Sequence, residues 1–113
     1  MARLSTHVLD TARGVPAHGV RIELHSAQQL LTSTVTDADG RTSEPLLSGE
    51  RIETGRYQLR FFVAEYFRAA AVKLSNPPFL DVVVIQFGVS DPLGNYHVPL
   101  LISPYGYSTY RGS

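Results

Sequence analysis

The sequence predicts an all-β sandwich with antiparallel strand pairing and one short helix. Three observations lead to this prediction. Apolar and polar residues alternate with period two along much of the chain, and Gly, Pro and Asp interrupt the alternation at short intervals. Only one stretch combines helix-forming residues with an absence of β-branched neighbours. With 113 residues, the chain is expected to form a single domain, residues 1–113, large enough to bury an ordinary core.

The first half of the chain supplies three predicted strands. Residues 4–9 alternate and end in a Gly/Pro loop, and residues 20–25 alternate as a half-buried strand should. Residues 28–36 are rich in β-branched side chains and close on Asp39-Gly40. Asp-Gly is a strong turn signal because both residue types tolerate positive φ. A long loop rich in Ser, Glu, Pro and Gly is expected to follow.

The second half supplies the helix and three more strands, within an expected total of seven or eight short strands. Residues 56–63 alternate with one large apolar face, and residues 64–71 are strong helix formers. The helix is expected to be short because the Pro pair at 77–78 bars its continuation. Strands are predicted over residues 79–89 and 96–102, with turn residues between them.

Composition excludes several classes of function. Ten basic and ten acidic side chains cancel, so we expect no nucleic-acid partner and no membrane partner. The absence of Cys excludes disulfides and thiolate catalysis, and it fits a reducing compartment. No apolar leader is visible at the start, and no apolar run could span a bilayer. These observations predict a cytoplasmic protein.

The four His residues differ in where they lie. His18 and His25 are expected to be solvated, because one lies in a Gly/Pro loop and the other at a strand end. No His has the spacing to other ligands that a metal site requires, so we expect no metal and no cofactor. His7 and His97 lie inside predicted strands, and alternation places His7 on the face opposite Leu4 and Val8. An outward imidazole on a rigid strand is either idle or part of a surface site.

Arg41 and the chain end are the other candidates for function. Arg41 follows the Asp39-Gly40 turn, which would present its planar guanidinium in one direction, although most such Arg residues are simply solvated. The last four residues, Tyr110 to Ser113, follow a dense run of aromatic and hydroxyl side chains. Chain ends are usually frayed. This one could instead fold back and line a site, with the carboxylate of Ser113 as a further ionisable group.

Three segments resemble the transthyretin-related family of 5-hydroxyisourate hydrolases. They are residues 4–17, residues 36–41, and residues 96–113, which are similar to the C-terminus of that family almost throughout. The terminal Tyr-Arg-Gly-Ser separates the hydrolases from the hormone-carrying transthyretins, which lack it. One departure is Asn95, which stands where many family members have a His.

The resemblance implies a fold, an assembly and a reaction. The fold is a transthyretin-like β-sandwich of two four-stranded antiparallel sheets with one short helix, assembled as a homotetramer, a dimer of dimers. The reaction is hydrolysis of 5-hydroxyisourate to 2-oxo-4-hydroxy-4-carboxy-5-ureidoimidazoline in urate degradation, part of purine metabolism, by a cyclic amide hydrolase without metal or cofactor. The residues implied as catalytic are His7, Arg41, His97 and Ser113, and those implied to bind substrate are His7, Arg41, Tyr110 and Arg111.

These side chains suit ring opening of a cyclic amide. An imidazole titrates near neutrality and can accept a proton from water, and Arg41 can stabilise the developing oxyanion. Which His is the general base stays open at this point. The alternative from another class is a non-catalytic small-ligand carrier of the transthyretin type, whose channel should be more apolar. A β-sandwich adhesion module without a ligand is a third interpretation, and it leaves the tail unexplained.

Overall fold

The structure, a computed structural model, describes residues 1–113 and contains nine strands and one helix. In chain order, the elements are β1 (Ala2–Asp10), β2 (Val15–Pro16), β3 (Arg21–Ser26), β4 (Gln29–Val35), β5 (Leu47–Gly49), β6 (Gly55–Phe61), α1 (Val63–Ala69), β7 (Val83–Val89), β8 (Asn95–Ser103) and β9 (Gly106–Thr109).

The strands form two sheets. One sheet runs β2-β1-β8-β9, with the short β5 also pairing with β1, and the other runs β4-β3-β6-β7. All pairs are antiparallel except β1 with β8, which are parallel and far apart in the chain. A parallel pair needs a long crossover. Here the crossover includes the whole second sheet, the helix and the short strands β2 and β5.

The core lies between the inner faces of the two sheets. In β1, every even-numbered residue from Ala2 to Asp10 is buried, while the odd-numbered residues from Arg3 to Leu9 remain partly or fully exposed. This is the alternation that a strand with one buried face requires. Side chains from the other strands and from α1 complete the core. The largest fully buried side chains of the whole core include Leu4, Ile22, Leu24, Leu59, Phe61, Phe67, Leu100 and Ile102.

A buried carboxylate ties α1 to the end of β1. Asp10 is 1% exposed and accepts hydrogen bonds from the Tyr66 hydroxyl at 2.8 Å and from Arg13 Nε at 3.0 Å. Burial by itself would raise the pKa of Asp10, but the hydrogen bonds from Tyr66 and Arg13 outweigh it and lower the pKa. The carboxylate therefore stays ionised and holds the buried side of the helix against β1.

The predicted sandwich with one short helix is confirmed, and the helix begins one residue before the predicted range. Two details of sheet composition differ from the expected pair of four-stranded antiparallel sheets. One sheet has five strands, and it contains the parallel β1–β8 pair. The helix spans seven residues, and no helix in the structure is long and apolar enough to cross a membrane.

Several strand boundaries also differ. The strand predicted over 79–89 begins only at Val83, because the chain around Asp81 pairs with the helix instead: the Asp81 carbonyl accepts the amide of Ala64 at 3.1 Å. The short strands β2 and β5 lie in segments predicted as loops, and β9 lies in the polar run before the tail. β2 and β5 pair with β1, and β9 pairs with β8. These short strands form because an adjacent strand supplies their hydrogen-bond partners, and their own residue patterns do not predict them.

Candidate active site

Ser5, His7 and His97 lie on the outer face of the five-stranded sheet. Ser5 and His7 occupy successive outward positions of β1. Because β8 runs parallel beside β1, His97 lies directly across from Ser5, and Pro99 lies across from His7. The parallel register therefore brings together two imidazoles that are 90 residues apart in the chain.

A tight turn places Arg41 beside His7. The carboxylate of Asp37 accepts the amides of Asp39 at 2.9 Å and Arg41 at 3.1 Å, which closes the turn. Gly40 has φ +77°, and a Cβ there would lie 2.3 Å from the carbonyl oxygen of Val8, so only Gly fits. The Gly40 carbonyl accepts the Val8 amide at 2.8 Å, and Arg41 forms an isolated antiparallel backbone pairing with His7.

The same turn determines which nitrogen of His7 carries a hydrogen. Nε2 of His7 lies 2.7 Å from the backbone carbonyl oxygen of Asp39. A carbonyl oxygen can only accept a hydrogen bond, so Nε2 must be the protonated nitrogen. In neutral His7 the lone pair is therefore on Nδ1, which makes no hydrogen bond within the chain.

The chain end packs against His97. The Gly112 amide donates to the His97 carbonyl at 2.7 Å, and a Cβ on Gly112 would lie 2.7 Å from Cδ2 of the His97 ring. Arg111 lies with its guanidinium carbon 4.2 Å from the centre of the Tyr96 ring and donates to the Asn95 carbonyl at 3.4 Å. The tail is thus held along β8, although Thr109 ends the last strand.

The environment of His97 keeps its ring neutral. Burial lowers the pKa of His97 below its usual value, and electrostatic repulsion from Arg41, His7 and Arg3 lowers it further. A neutral imidazole results at pH 7. Neutral imidazole can accept a proton or donate a hydrogen bond, and both abilities are useful in opening an amide ring.

The grooves elsewhere on the molecule do not contain these residues. One groove, of about 550 Å³, lies on the other sheet and is lined mainly by polar side chains of β3, β6 and β7. A second, of about 590 Å³, is lined by residues 51–54 and Pro92. Neither includes His7, Arg41 or His97, which lie on an open sheet face. No cluster of three or more His, Asp or Glu side chains suitable for a metal ion occurs in the structure.

The structure brings together most of the residues singled out from the sequence. His7, Arg41 and His97 lie on one face, and Arg111 and Gly112 run alongside. Two members of the predicted set make no hydrogen bond within the chain. The Tyr110 side chain is 60% exposed, and Ser113 is exposed at the end of the tail.

One His prediction is wrong in detail. His25 lies inside β3 rather than in solvent, and its Nε2 lies 2.9 Å from a carboxylate oxygen of Glu23, because β3 extends to Ser26. His18 is an exposed loop residue, as predicted.

Two residues that contact the two imidazoles were not singled out as site residues from the sequence. They are Ser5, whose hydroxyl oxygen lies 2.8 Å from His97 Nδ1, and Asp39, whose carbonyl contacts His7. The position of Ser5, two residues before His7 on the same strand face, is a usable signal. The Asp39 contact depends on backbone geometry that no residue pattern reveals. Gly112, which lies against the His97 ring, belongs to the tail that the sequence did single out.

Comparisons with known proteins identify the family of this chain. The sequence profile of the HIUase/Transthyretin family matches residues 4–112. A protein of Rhizobium meliloti named 5-hydroxyisourate hydrolase 2 is 53% identical, over 98% of this chain and 96% of its own length. This chain therefore belongs to the HIUase/Transthyretin family.

Three solved structures share the fold of this chain. An (S)-allantoin synthase matches 99% of the chain with a TM-score of 0.93 and 43% identity, although the chain spans only 44% of that protein. The 5-hydroxyisourate hydrolase of Klebsiella pneumoniae matches with a TM-score of 0.85 and 34% identity, over 100% of this chain and 94% of that one. Sea bream transthyretin, in complex with thyroxine, matches with a TM-score of 0.83 and 26% identity, over 97% of this chain and 94% of that one. The predicted transthyretin-like fold is confirmed.

Proposed function

We propose that this chain hydrolyses 5-hydroxyisourate at the outer face of the β1–β8 pair. The observation that carries the proposal is the convergence of two imidazoles and a guanidinium on one rigid sheet face, with the chain end packed against one of the imidazoles. The 53% identity to a protein named 5-hydroxyisourate hydrolase 2 supports the substrate.

The proposed reaction opens the six-membered ring of the substrate at an amide bond. The oxygen of a water molecule bonds to the carbonyl carbon, a ring imidazole takes one of the water's protons, and negative charge develops on the carbonyl oxygen. The C–N bond then breaks and the leaving nitrogen receives a proton. His7 and His97 handle the protons, and the guanidinium of Arg41 donates to the oxyanion.

The tail completes the proposed substrate site. Arg111 is held in place by Tyr96 and the Asn95 carbonyl, and the next residue, Gly112, lies against the His97 ring. The contact to Asn95 uses its backbone oxygen, so it does not require a particular side chain at that position. We propose that Tyr110 and Arg111 border the bound ring and that Ser113 contributes its hydroxyl.

The carrier function fits the site less well. A carrier for an apolar ligand gains affinity from apolar lining, whereas the face described here presents His7, Arg41, His97 and Arg3. Desolvating these groups would oppose binding of an apolar ligand unless the ligand satisfied their hydrogen bonds.

The proposed assembly is a homotetramer arranged as a dimer of dimers. The site lies on an open sheet face, where bulk water would weaken every electrostatic contact, and a second copy could cover it. Phe79 and Tyr105 are 70% and 68% exposed, and their ring centres are 6.0 Å apart, which gives each copy an aromatic pair for contact. Sedimentation equilibrium should return the mass of four chains; a single-chain mass would contradict this assembly.

The cytoplasmic location stays a prediction.

Arg41→Lys is expected to be nearly as damaging as Arg41→Ala. Lys keeps the positive charge but not the planar fork, so paired contacts to a planar imide or its oxyanion are lost. We expect kcat to fall roughly 10²–10³-fold in both variants, the usual cost of removing one oxyanion donor. Steady-state kinetics check this, with Arg68→Lys on the exposed side of α1 as the matched control. Unchanged kinetics in Arg41→Lys would show that Arg41 provides no directional contact.

A further inference from the structure

The two imidazoles differ in which nitrogen is free to meet a substrate. In His7 the Asp39 carbonyl occupies Nε2, and Nδ1 has no partner. In His97 the arrangement is reversed: Ser5 Oγ lies 2.8 Å from Nδ1, and Nε2 makes no hydrogen bond within the chain. The Asp39 carbonyl therefore leaves Nδ1 of His7 free, and the Ser5 hydroxyl leaves Nε2 of His97 free.

The Ser5 hydroxyl has one hydrogen-bond partner in the structure, Nδ1 of His97. A hydroxyl carries one hydrogen and can donate or accept. Donation to Nδ1 gives the hydroxyl hydrogen an acceptor, and it requires Nδ1 to hold a lone pair. Neutral His97 then carries its hydrogen on Nε2. Gly112 restricts the same ring from another side, since its Cβ position lies 2.7 Å from Cδ2, next to Nε2.

We propose that Ser5 is a positioning residue that holds neutral His97 in the Nε2–H tautomer, so that His97 donates a hydrogen bond to the substrate while His7 Nδ1 is the general base. The proposal rests on the function proposed above and deepens it by dividing the two roles. The water proton moves to His7 Nδ1, and from there it passes to the leaving ring nitrogen when the C–N bond breaks. The developing oxyanion receives hydrogen bonds from His97 Nε2–H and Arg41.

The charges around His97 support a neutral donor. Arg3 and His7 face it from β1, and Arg41 faces it from the turn, whereas the Arg111 guanidinium lies against the Tyr96 ring and the Asn95 carbonyl. Burial, Arg41, His7 and Arg3 lower the pKa of His97, which keeps the ring neutral at pH 7. The backbone carbonyl of Asp39 contacts His7 rather than His97. A neutral imidazole whose N–H polarises a carbonyl is an established catalytic arrangement in other enzymes.

Ser5→Ala is expected to remove the donor that stabilises the neutral Nε2–H form. In nitrogen-15 NMR of His-labelled protein, His97 should show the Nε2–H tautomer in the wild type and a mixture of tautomers in Ser5→Ala. The expected kinetic effect is a fall in kcat of about 10–100-fold with little change in KM, as for other groups that orient a functional His.

Two further variants make the experiment specific. Ser5→Thr keeps a hydroxyl at the same Cβ and should restore both the tautomer and most of kcat. Ser33→Ala, an exposed Ser on β4 of the other sheet, should change neither. An Nδ1–H tautomer in the wild type, or an identical His97 tautomer in Ser5→Ala, would overturn the proposal whatever the rates. A changed tautomer with unchanged kcat would support the role of Ser5 and instead count against His97 in the proposed reaction.

Discussion

His7→Ala and His97→Ala are each expected to lower kcat/KM for 5-hydroxyisourate by roughly 10²–10⁴-fold, the usual cost of losing a general acid or base. Both side chains lie on the outward face of their strands, where neither contributes to the core. The variants should therefore keep the fold. Steady-state kinetics and thermal melts on the same samples measure the two effects separately.

His18→Ala is the matched control for these variants. His18 is an exposed loop residue without a hydrogen bond to another side chain, so its removal should leave both the rate and the melting temperature unchanged. Near wild-type rates in both His7→Ala and His97→Ala would show that the reaction takes place elsewhere. A rate lost together with the fold would show instead that the outward placement of these rings is wrong.

Gly112→Ala is expected to reduce kcat by about 10²-fold with one added methyl group. Its Cβ would lie 2.7 Å from Cδ2 of His97 and 3.3 Å from Cγ, so either the ring or the tail must move. Displacements of about 1 Å in a catalytic group can cost a factor of this size. Because the tail adds no residue to the core, the melting temperature should change little.

Gly106→Ala tests whether this effect is specific to the contact with His97. A Cβ at Gly106 would meet only Ser103 Oγ, at 3.8 Å, an ordinary contact distance. This variant should keep the wild-type rate. If Gly112→Ala also keeps it, the tail does not constrain His97, and the proposal that the last residues line the site loses its main structural support.

The alternation of apolar and polar residues predicts the strands that carry the site well. A strand with one buried face must place an apolar side chain at every second position. The pattern of residues 4–9 correctly places His7 on the outer face, as the burial of β1 shows. The Asp39-Gly40 signal likewise predicts the turn that presents Arg41, and Gly40 does have positive φ. These features depend on local backbone chemistry, which neighbouring residues determine.

Pairing between distant strands is not predictable in the same way. Nothing in the residues of β1 or β8 shows that the two run parallel with Ser5 beside His97, since the register depends on the path of the whole chain. The β3–β4 hairpin turns through Ala27 and Gln28, both at positive φ, without the Gly or Asn that usually signals such a turn. The family resemblance identified the two imidazoles and the tail as site residues. It did not identify the Ser5 contact, because that contact depends on the register between β1 and β8.

The most direct measurement is the ultraviolet decay of freshly generated 5-hydroxyisourate with and without the wild-type protein. A hydrolase should accelerate the decay in proportion to protein concentration, because its imidazoles and Arg41 lower the barrier to ring opening. Decay at the same rate with and without the protein would contradict the proposed activity and return the small-ligand carrier to first place.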